Sequence, residues 1–118
     1  MNSKEILEIA VKAADSKRAE NIVALNLDGV SLVSDYFLIM DAGSGRQVQA
    51  IVDAIKDAEE KAGVTVKSVE GKDAANWILM DLGDVVVHVF KSDQRGYYNL
   101  EKLWSQAPAI DVAQWVTE

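Results

Sequence analysis

Apolar residues recur at helical spacing at the start of the chain and then form short continuous runs. Asn2 and Glu5 have the spacing of a capping box, which predicts that a helix begins there. The apolar runs at 21–27 and 35–42 predict strands, and the second run is continuous enough to be covered on both faces. The helix predicted over 3–17 has one apolar face, made of Ile6, Leu7, Ala10, Ala13 and Ala14.

A second amphipathic segment follows the turn Gly43-Ser44-Gly45. Ser44 predicts an N-cap, and Gln47 three residues later is the second half of a capping box. Gly63 stands where helices commonly end. The predicted core stripe of this long helix is Val48, Ile51, Val52, Ile55 and Ala62.

The second half of the chain predicts three strands and a last helix. Residues 64–70 alternate weakly, as in an edge strand, while 77–80 and 84–90 are apolar and joined by a loop of hairpin composition. Helical spacing returns over 97–107, and Pro108 ends that helix. The predicted order is α-β-β-α-β-β-β-α, an α/β (α+β) domain with a mixed β-sheet and flanking helices.

The length of 118 residues fits a single domain, which we assign to 1–107. Residues 108–118 form an apolar C-terminal tail that docks either on the domain or on a partner. No apolar run is long enough to span a membrane, and the N-terminus has no signal-peptide pattern. We therefore expect a cytoplasmic protein with no membrane association.

Composition narrows the chemistry further. The absence of cysteine excludes disulfide scaffolds, zinc fingers, iron–sulfur sites and thiol nucleophiles, and a single histidine argues against a transition-metal site. Twelve basic and nineteen acidic residues give a net charge of −7. This charge argues against sequence-specific nucleic-acid binding and suits a basic partner.

The sequence signals for three kinds of chemistry, namely phosphate binding, two-metal nucleotide transfer and base catalysis, are weak. The turn at 43–46 has backbone N–H groups that could bind phosphate, but it lacks the Gly-Lys-Ser/Thr ending of a Walker motif, so a capped helix start is the simpler interpretation. Two-metal nucleotide transfer needs Asp-x-Asp on one strand face, and the chain has no such motif. His88 lies mid-strand among valines, which favours a partly buried histidine bonded to a neighbour over a catalytic base. We predict no catalytic residue, metal or cofactor.

Aromatic residues are the stronger clue, because aromatics and arginine are the usual anchors of protein interfaces. Strand alternation places Trp77, Leu79 and Asp81 on one face of a strand near a sheet edge. Arg95 and Tyr98 follow the neighbouring strand and could extend the same patch. These residues are the predicted partner-binding site.

Four motifs in one collinear order carry a family resemblance: DYFLIMDAGSGRQVQAIVDAI, EG at 70–71, NWILMDLGDVVVHVF, and R-x-YY-x-LE-x-LW ending at Trp104. Over 21–107 they resemble the ribosomal silencing factor, or Iojap-like, family. Met40-Asp41 and Gly45 depart mildly from the family pattern, and the tail after Pro108 matches weakly.

The resemblance implies a fold similar to the nucleotidyltransferases without their catalytic acids. It implies binding to large-subunit ribosomal protein fourteen, a steric block to joining of the small and large ribosomal subunits, and repression of translation under nutrient limitation. A part in late large-subunit assembly and an association into homodimers also come with the family. Two alternatives stay open: an assembly adaptor without silencing, and a nucleotidyltransferase-like nucleotide-binding enzyme.

Overall fold

The computed structural model describes residues 2–27, 34–72, 76–93 and 107–116. Their elements follow the predicted order as far as the fifth strand, and the helix predicted over 97–107 lies outside them except for Ala107. The helices and strands are α1 (Ser3–Ser16), β1 (Glu20–Asn26), β2 (Tyr36–Ala42), α2 (Gly45–Lys61), β3 (Ser68–Glu70), β4 (Trp77–Asp81), β5 (Val85–Lys91) and β6 (Ala109–Ile110).

The strands of the described residues form one mixed sheet in the order β3-β4-β5-β2-β1-β6. Only β2 and β5 pair in parallel, and both are buried for most of their length, as the continuous apolar runs predict. β3 is an edge strand as predicted, but it is shorter than the run at 64–70. Val64 and Val66 instead pack against the core before the strand begins.

Helix α1 begins with the predicted capping box. The Asn2 side chain accepts a hydrogen bond from the Glu5 backbone N–H at 2.8 Å, and the Glu5 carboxylate accepts one from the Asn2 N–H at 3.3 Å. Its buried face includes Val11, which the sequence interpretation missed, whereas Ala13 is only half-buried. Val11 continues the i, i+4 row that begins at Leu7, so the stripe is centred slightly differently from the prediction.

Helix α2 has only half of its predicted capping box. Ser44 Oγ accepts a hydrogen bond from the Gln47 N–H at 3.2 Å, but the Gln47 side chain donates to the carbonyl oxygens of Lys17 and Arg18. The core stripe ends at Glu59 instead of Ala62, which is the exposed C-cap residue. Gly63 follows with a φ of +89°, the left-handed conformation that glycine adopts without strain.

We expect Ser44→Ala to lower the free energy of unfolding by about 1 kcal/mol, because the Gln47 N–H loses its acceptor. Urea denaturation followed by circular dichroism measures this difference. Binding by the folded fraction should be unchanged, since the cap lies away from the predicted partner-binding strand. A stable variant that fails to bind would instead indicate a ligand site at this turn.

Both described helices pack on the same face of the sheet. The core there includes Ile78 and Met80 of β4 together with the buried stripes of α1 and α2. The C-terminal tail docks on the domain: β6 pairs with β1, and the tail residue Trp115 is buried in this helix-side core. No helix among the described residues is long and apolar enough to cross a membrane.

Candidate partner-binding site

Strand β4 divides its side chains between the two sides of the sheet. Ile78 and Met80 are fully buried toward the helices. Trp77, Leu79 and Asp81 point to the opposite side and are half-buried, as strand alternation predicts. Of the five predicted partner-binding residues the structure therefore brings these three together, while Arg95 and Tyr98 lie outside the described residues.

An aromatic cluster surrounds Trp77 on this side of the sheet. Its ring stacks on Phe90, the residue opposite it on β5, with centroids 5.2 Å apart and planes inclined by 20°. The His88 ring lies 5.9 Å from Trp77, and Phe37 meets His88 edge-on at 4.8 Å. We call Phe37, Trp77, Leu79, His88 and Phe90 the aromatic face. A stacked pair such as Trp77 and Phe90 contributes about 0.5–1.5 kcal/mol beyond the area that it buries, so this contact favours one orientation of the indole ring.

His88 fixes the orientation of the Trp77 indole. The indole Nε1–H donates a hydrogen bond to His88 Nδ1 at 3.2 Å. Burial lowers the pKa of His88 from 6.5 to about 4, so the ring is neutral at pH 7 with its proton on Nε2. The interpretation of His88 as a buried histidine bonded to a neighbour is confirmed at Nδ1, which accepts from the Trp77 indole, whereas Nε2 is buried and has no hydrogen-bond partner among the described residues.

Asp81 serves the hairpin turn. Its Oδ1 accepts a hydrogen bond from the Gly83 N–H at 2.8 Å, and Gly83 has a φ of +91°. This is the short-range bond by which aspartate stabilises turns. The carboxylate is thus partly engaged within the protein, which weakens it as a contact for a partner.

Two residues that the sequence interpretation missed complete the site. Glu70 of β3 lies opposite Leu79 in register, so it projects on the same side of the sheet. Gly71 follows with a φ of +85°, and a Cβ there would overlap the carbonyl oxygen of Trp77. Together Glu70, Gly71, Trp77 and Leu79 line a pocket of about 210 Å³. The Glu-Gly pair was visible in the sequence, but the register of so short a strand was not.

Gly71→Ala should lower the free energy of unfolding by about 1–3 kcal/mol, because alanine is strained at this φ and its Cβ meets backbone that cannot move aside. Gly43→Ala is the matched control, since a Cβ at Gly43 has nothing within 4 Å. Thermal melting of both variants tests the difference. Equal melting temperatures would contradict the close approach of Gly71 to Trp77.

The buried Asp41 forms a second polar cluster, at the end of β2. Its carboxylate accepts hydrogen bonds from Asn21 Nδ2 at 3.2 and 3.3 Å and from Ser92 Oγ at 3.0 Å. These bonds satisfy the carboxylate within the fold. In the part of the chain that the structure describes, no three His, Cys, Asp or Glu side chains are placed to hold a metal ion.

A further cavity of about 450 Å³ lies between β1 and the tail. Ile22, Ile110, Val112 and Val116 give it a largely apolar lining, to which Asn21 and Asp111 add the polar side chains. No titratable group paired with a nucleophile lines it among the described residues. The aromatic face, by contrast, carries Trp77 and Leu79 of the predicted partner-binding residues.

These features define an α+β domain with two helices on one side of a mixed sheet. On the other side Leu25, Leu27, Ile39, Phe90 and Ala107 form a second buried cluster, and the half-buried Trp77 packs against it. The family described as "Ribosomal silencing factor during starvation" matches residues 1–118. The chain is 59% identical over 112 residues to Ribosomal silencing factor RsfS of Bacillus subtilis (strain 168), covering 95% of both chains. It belongs to the ribosomal silencing factor family.

Structural and more distant relatives agree with this assignment. A crystal structure of a Bacillus halodurans protein has a TM-score of 0.83 and 50% identity, covering 92% of this chain and 99% of that one. The mouse protein named "Mitochondrial assembly of ribosomal large subunit protein 1" is 29% identical over 109 residues, which span 89% of this chain and 47% of that protein. The predicted fold class and family resemblance are confirmed.

Proposed function

We propose that this protein silences translation by binding large-subunit ribosomal protein fourteen and blocking the joining of the two ribosomal subunits under nutrient limitation. It acts in the cytoplasm as a binding protein without catalysis or cofactor. The observation that carries the proposal is the aromatic face, where Trp77 is half-buried, stacked on Phe90 and held by His88. Membership of the ribosomal silencing factor family supports the ribosome as the target.

The proposed contact combines an apolar anchor with long-range attraction. A rigid tryptophan loses little conformational freedom when a partner covers it, which makes it a typical binding hot spot. The net charge of −7 attracts a basic ribosomal protein and speeds the encounter. The same charge disfavours contact with bare RNA phosphates.

The block to subunit joining is steric. The described part of the chain measures 34 × 33 × 30 Å, so a molecule bound on the joining face holds the subunits tens of ångströms apart there. Direct contacts between subunits need hydrogen-bond distances of about 3 Å. Binding alone is therefore sufficient, and no chemical step is required.

Sucrose-gradient profiles of purified ribosomal subunits test the proposal. Added protein should move joined ribosomes into the free-subunit peaks and should itself sediment with the large subunit. Isolated ribosomal protein fourteen should bind it in a pull-down, and excess free ribosomal protein fourteen should restore joining. Unchanged joining in the presence of bound protein would overturn the silencing mechanism.

Large-subunit assembly is a second candidate function, favoured by the name of the mouse relative. It uses the same docking on the large subunit but predicts a different consequence of losing the protein. If the protein assists assembly, cells depleted of it should accumulate incomplete large subunits. If it only silences translation, depleted cells should contain assembled subunits, and only the joining of these subunits should change. Gradients of extracts from depleted cells distinguish the two.

A further inference from the structure

The pocket beside Trp77 has an acidic rim and, within the part of the chain that the structure describes, no cation paired with it. Glu70 is exposed on the rim and makes no ion pair with any described residue. The two lysines that flank its strand are directed elsewhere. Lys72 pairs with Asp53 of α2 at 3.1 Å, and the Lys67 side chain extends beside Gly83 at the hairpin. The negative charge of Glu70 is therefore available to a partner.

The pocket combines this charge with apolar walls. Leu79 and Trp77 line it beside Glu70, and Gly71 leaves room where any side chain would overlap the backbone of Trp77. A cation against a tryptophan and a carboxylate is favoured by both, because the ring and the acid present negative charge to it. The methylene groups of a long basic side chain can cover the leucine and tryptophan at the same time.

The size of the pocket indicates a side chain as the ligand. Its volume of about 210 Å³ is below the roughly 300–1,000 Å³ of pockets that enclose small-molecule ligands. A nucleotide or other phosphate compound is further disfavoured by the carboxylate of Glu70, since like charges repel. A side chain with a cationic group at the end of an apolar stem matches both the carboxylate of Glu70 and the apolar walls of Trp77 and Leu79.

We propose that this pocket receives a lysine or arginine side chain of the basic partner, with the cationic head on Glu70 and the stem against Trp77 and Leu79. The inference rests on the proposed function, because it concerns the partner that covers the aromatic face. It assigns to Glu70 the role of selecting a basic side chain at one defined point of the interface. Trp77 then acts as the wall that His88 holds in place.

Glu70→Gln tests the pocket, with Glu60→Gln as the matched control. Glu60 is also exposed, and Glu60→Gln removes the same charge. Glu60 lies on α2, however, which packs on the other side of the sheet. We expect Glu70→Gln to weaken binding to ribosomal protein fourteen about tenfold, as for loss of a charge-assisted hydrogen bond, and Glu60→Gln to change it less than about twofold. Binding by the wild type should also fall more steeply with salt than binding by Glu70→Gln.

A double-mutant cycle identifies the side chain that enters the pocket. Glu70→Gln is combined with single replacements of the lysines and arginines of ribosomal protein fourteen by methionine, and dissociation constants are measured for each pair. One basic residue of ribosomal protein fourteen should be coupled to Glu70. Once that basic residue is replaced by methionine, Glu70→Gln should no longer weaken binding. Equal effects of Glu70→Gln and Glu60→Gln, or additivity for every pair, would overturn the pocket assignment while leaving the proposed function intact. A wild type that fails to bind ribosomal protein fourteen would overturn both.

Discussion

Trp77→Ala should weaken binding to ribosomal protein fourteen by roughly thirtyfold or more, which corresponds to the loss of about 2 kcal/mol expected for an anchor tryptophan. The indole is held before the partner arrives, by stacking on Phe90 and by its hydrogen bond to His88. Binding therefore spends little free energy on ordering it, and truncation removes both the apolar contact and one wall of the Glu70 pocket. Titration calorimetry or surface binding kinetics measures the change.

Folding is the necessary control, because Trp77 also packs against His88 and Phe90 within the aromatic face. Trp77→Phe keeps a ring over Phe90 but loses the hydrogen bond that the indole N–H donates to His88 Nδ1. It should retain more affinity than Trp77→Ala, and the melting temperatures of both variants show what fraction is folded. If folded Trp77→Ala binds and separates subunits like the wild type, the docking face lies elsewhere on the protein.

The acidic residue that tests this face best is Glu70. Asp81 accepts a hydrogen bond from the Gly83 N–H, so reversing its charge would disturb the hairpin turn together with any contact to the partner. Glu70 is exposed and makes no comparable turn bond among the described residues. A loss of affinity in Glu70→Gln can therefore be assigned to the interface.

Local patterns predicted much of the fold. Period-two alternation placed Trp77 and Leu79 on one side of β4, and helical spacing with Ser44 placed the start of α2. These signals act within a single element, so a sequence carries them directly. The strand neighbours of β4, and hence the pocket, depend instead on which segments pair and in what register.

The first two of the following features depend on strand pairing, and the third depends on the burial of an ionisable side chain. Glu70 joins the site only because β3 pairs with β4 with Glu70 opposite Leu79. For the tail, docking on the domain and docking on a partner both stayed open in the sequence, and the pairing of β6 with the outer edge of β1 decides for the domain. Glu59 occupies a core position on α2, where an ionisable residue would ordinarily be assigned to the solvent face.

Glu59 makes the stability of the fold depend on pH. Its side chain is 0% exposed, and both carboxylate oxygens are buried without a hydrogen-bond partner. Burial raises its pKa from 4.5 to about 8, because a charge in apolar surroundings loses its hydration. The native protein therefore holds Glu59 protonated at neutral pH, whereas the unfolded chain ionises it.

The stabilisation linked to this proton is complete below pH 4.5 and is lost as the pH rises toward 8, where the native state begins to ionise as well. Between these values a difference of one proton gives a slope of at most about 1.4 kcal/mol per pH unit. Glu59→Gln should remove this slope. Glu59→Met should raise the free energy of unfolding at pH 8 by about 1–3 kcal/mol, since an apolar side chain leaves no buried polar group unpaired.

Urea denaturation of the wild type, Glu59→Gln and Glu59→Met at intervals from pH 5 to pH 9 measures the effect. His88 is common to all three proteins. Its lowered pKa destabilises each of them equally as the pH falls below 6.5, so its contribution cancels in the differences. The exposed neighbour Glu60 supplies the control, because Glu60→Gln should leave the wild-type pH profile unchanged. Parallel profiles for Glu59→Gln and the wild type would mean that Glu59 ionises alike in the native and unfolded states, which its complete burial among the side chains of the helix-side core argues against.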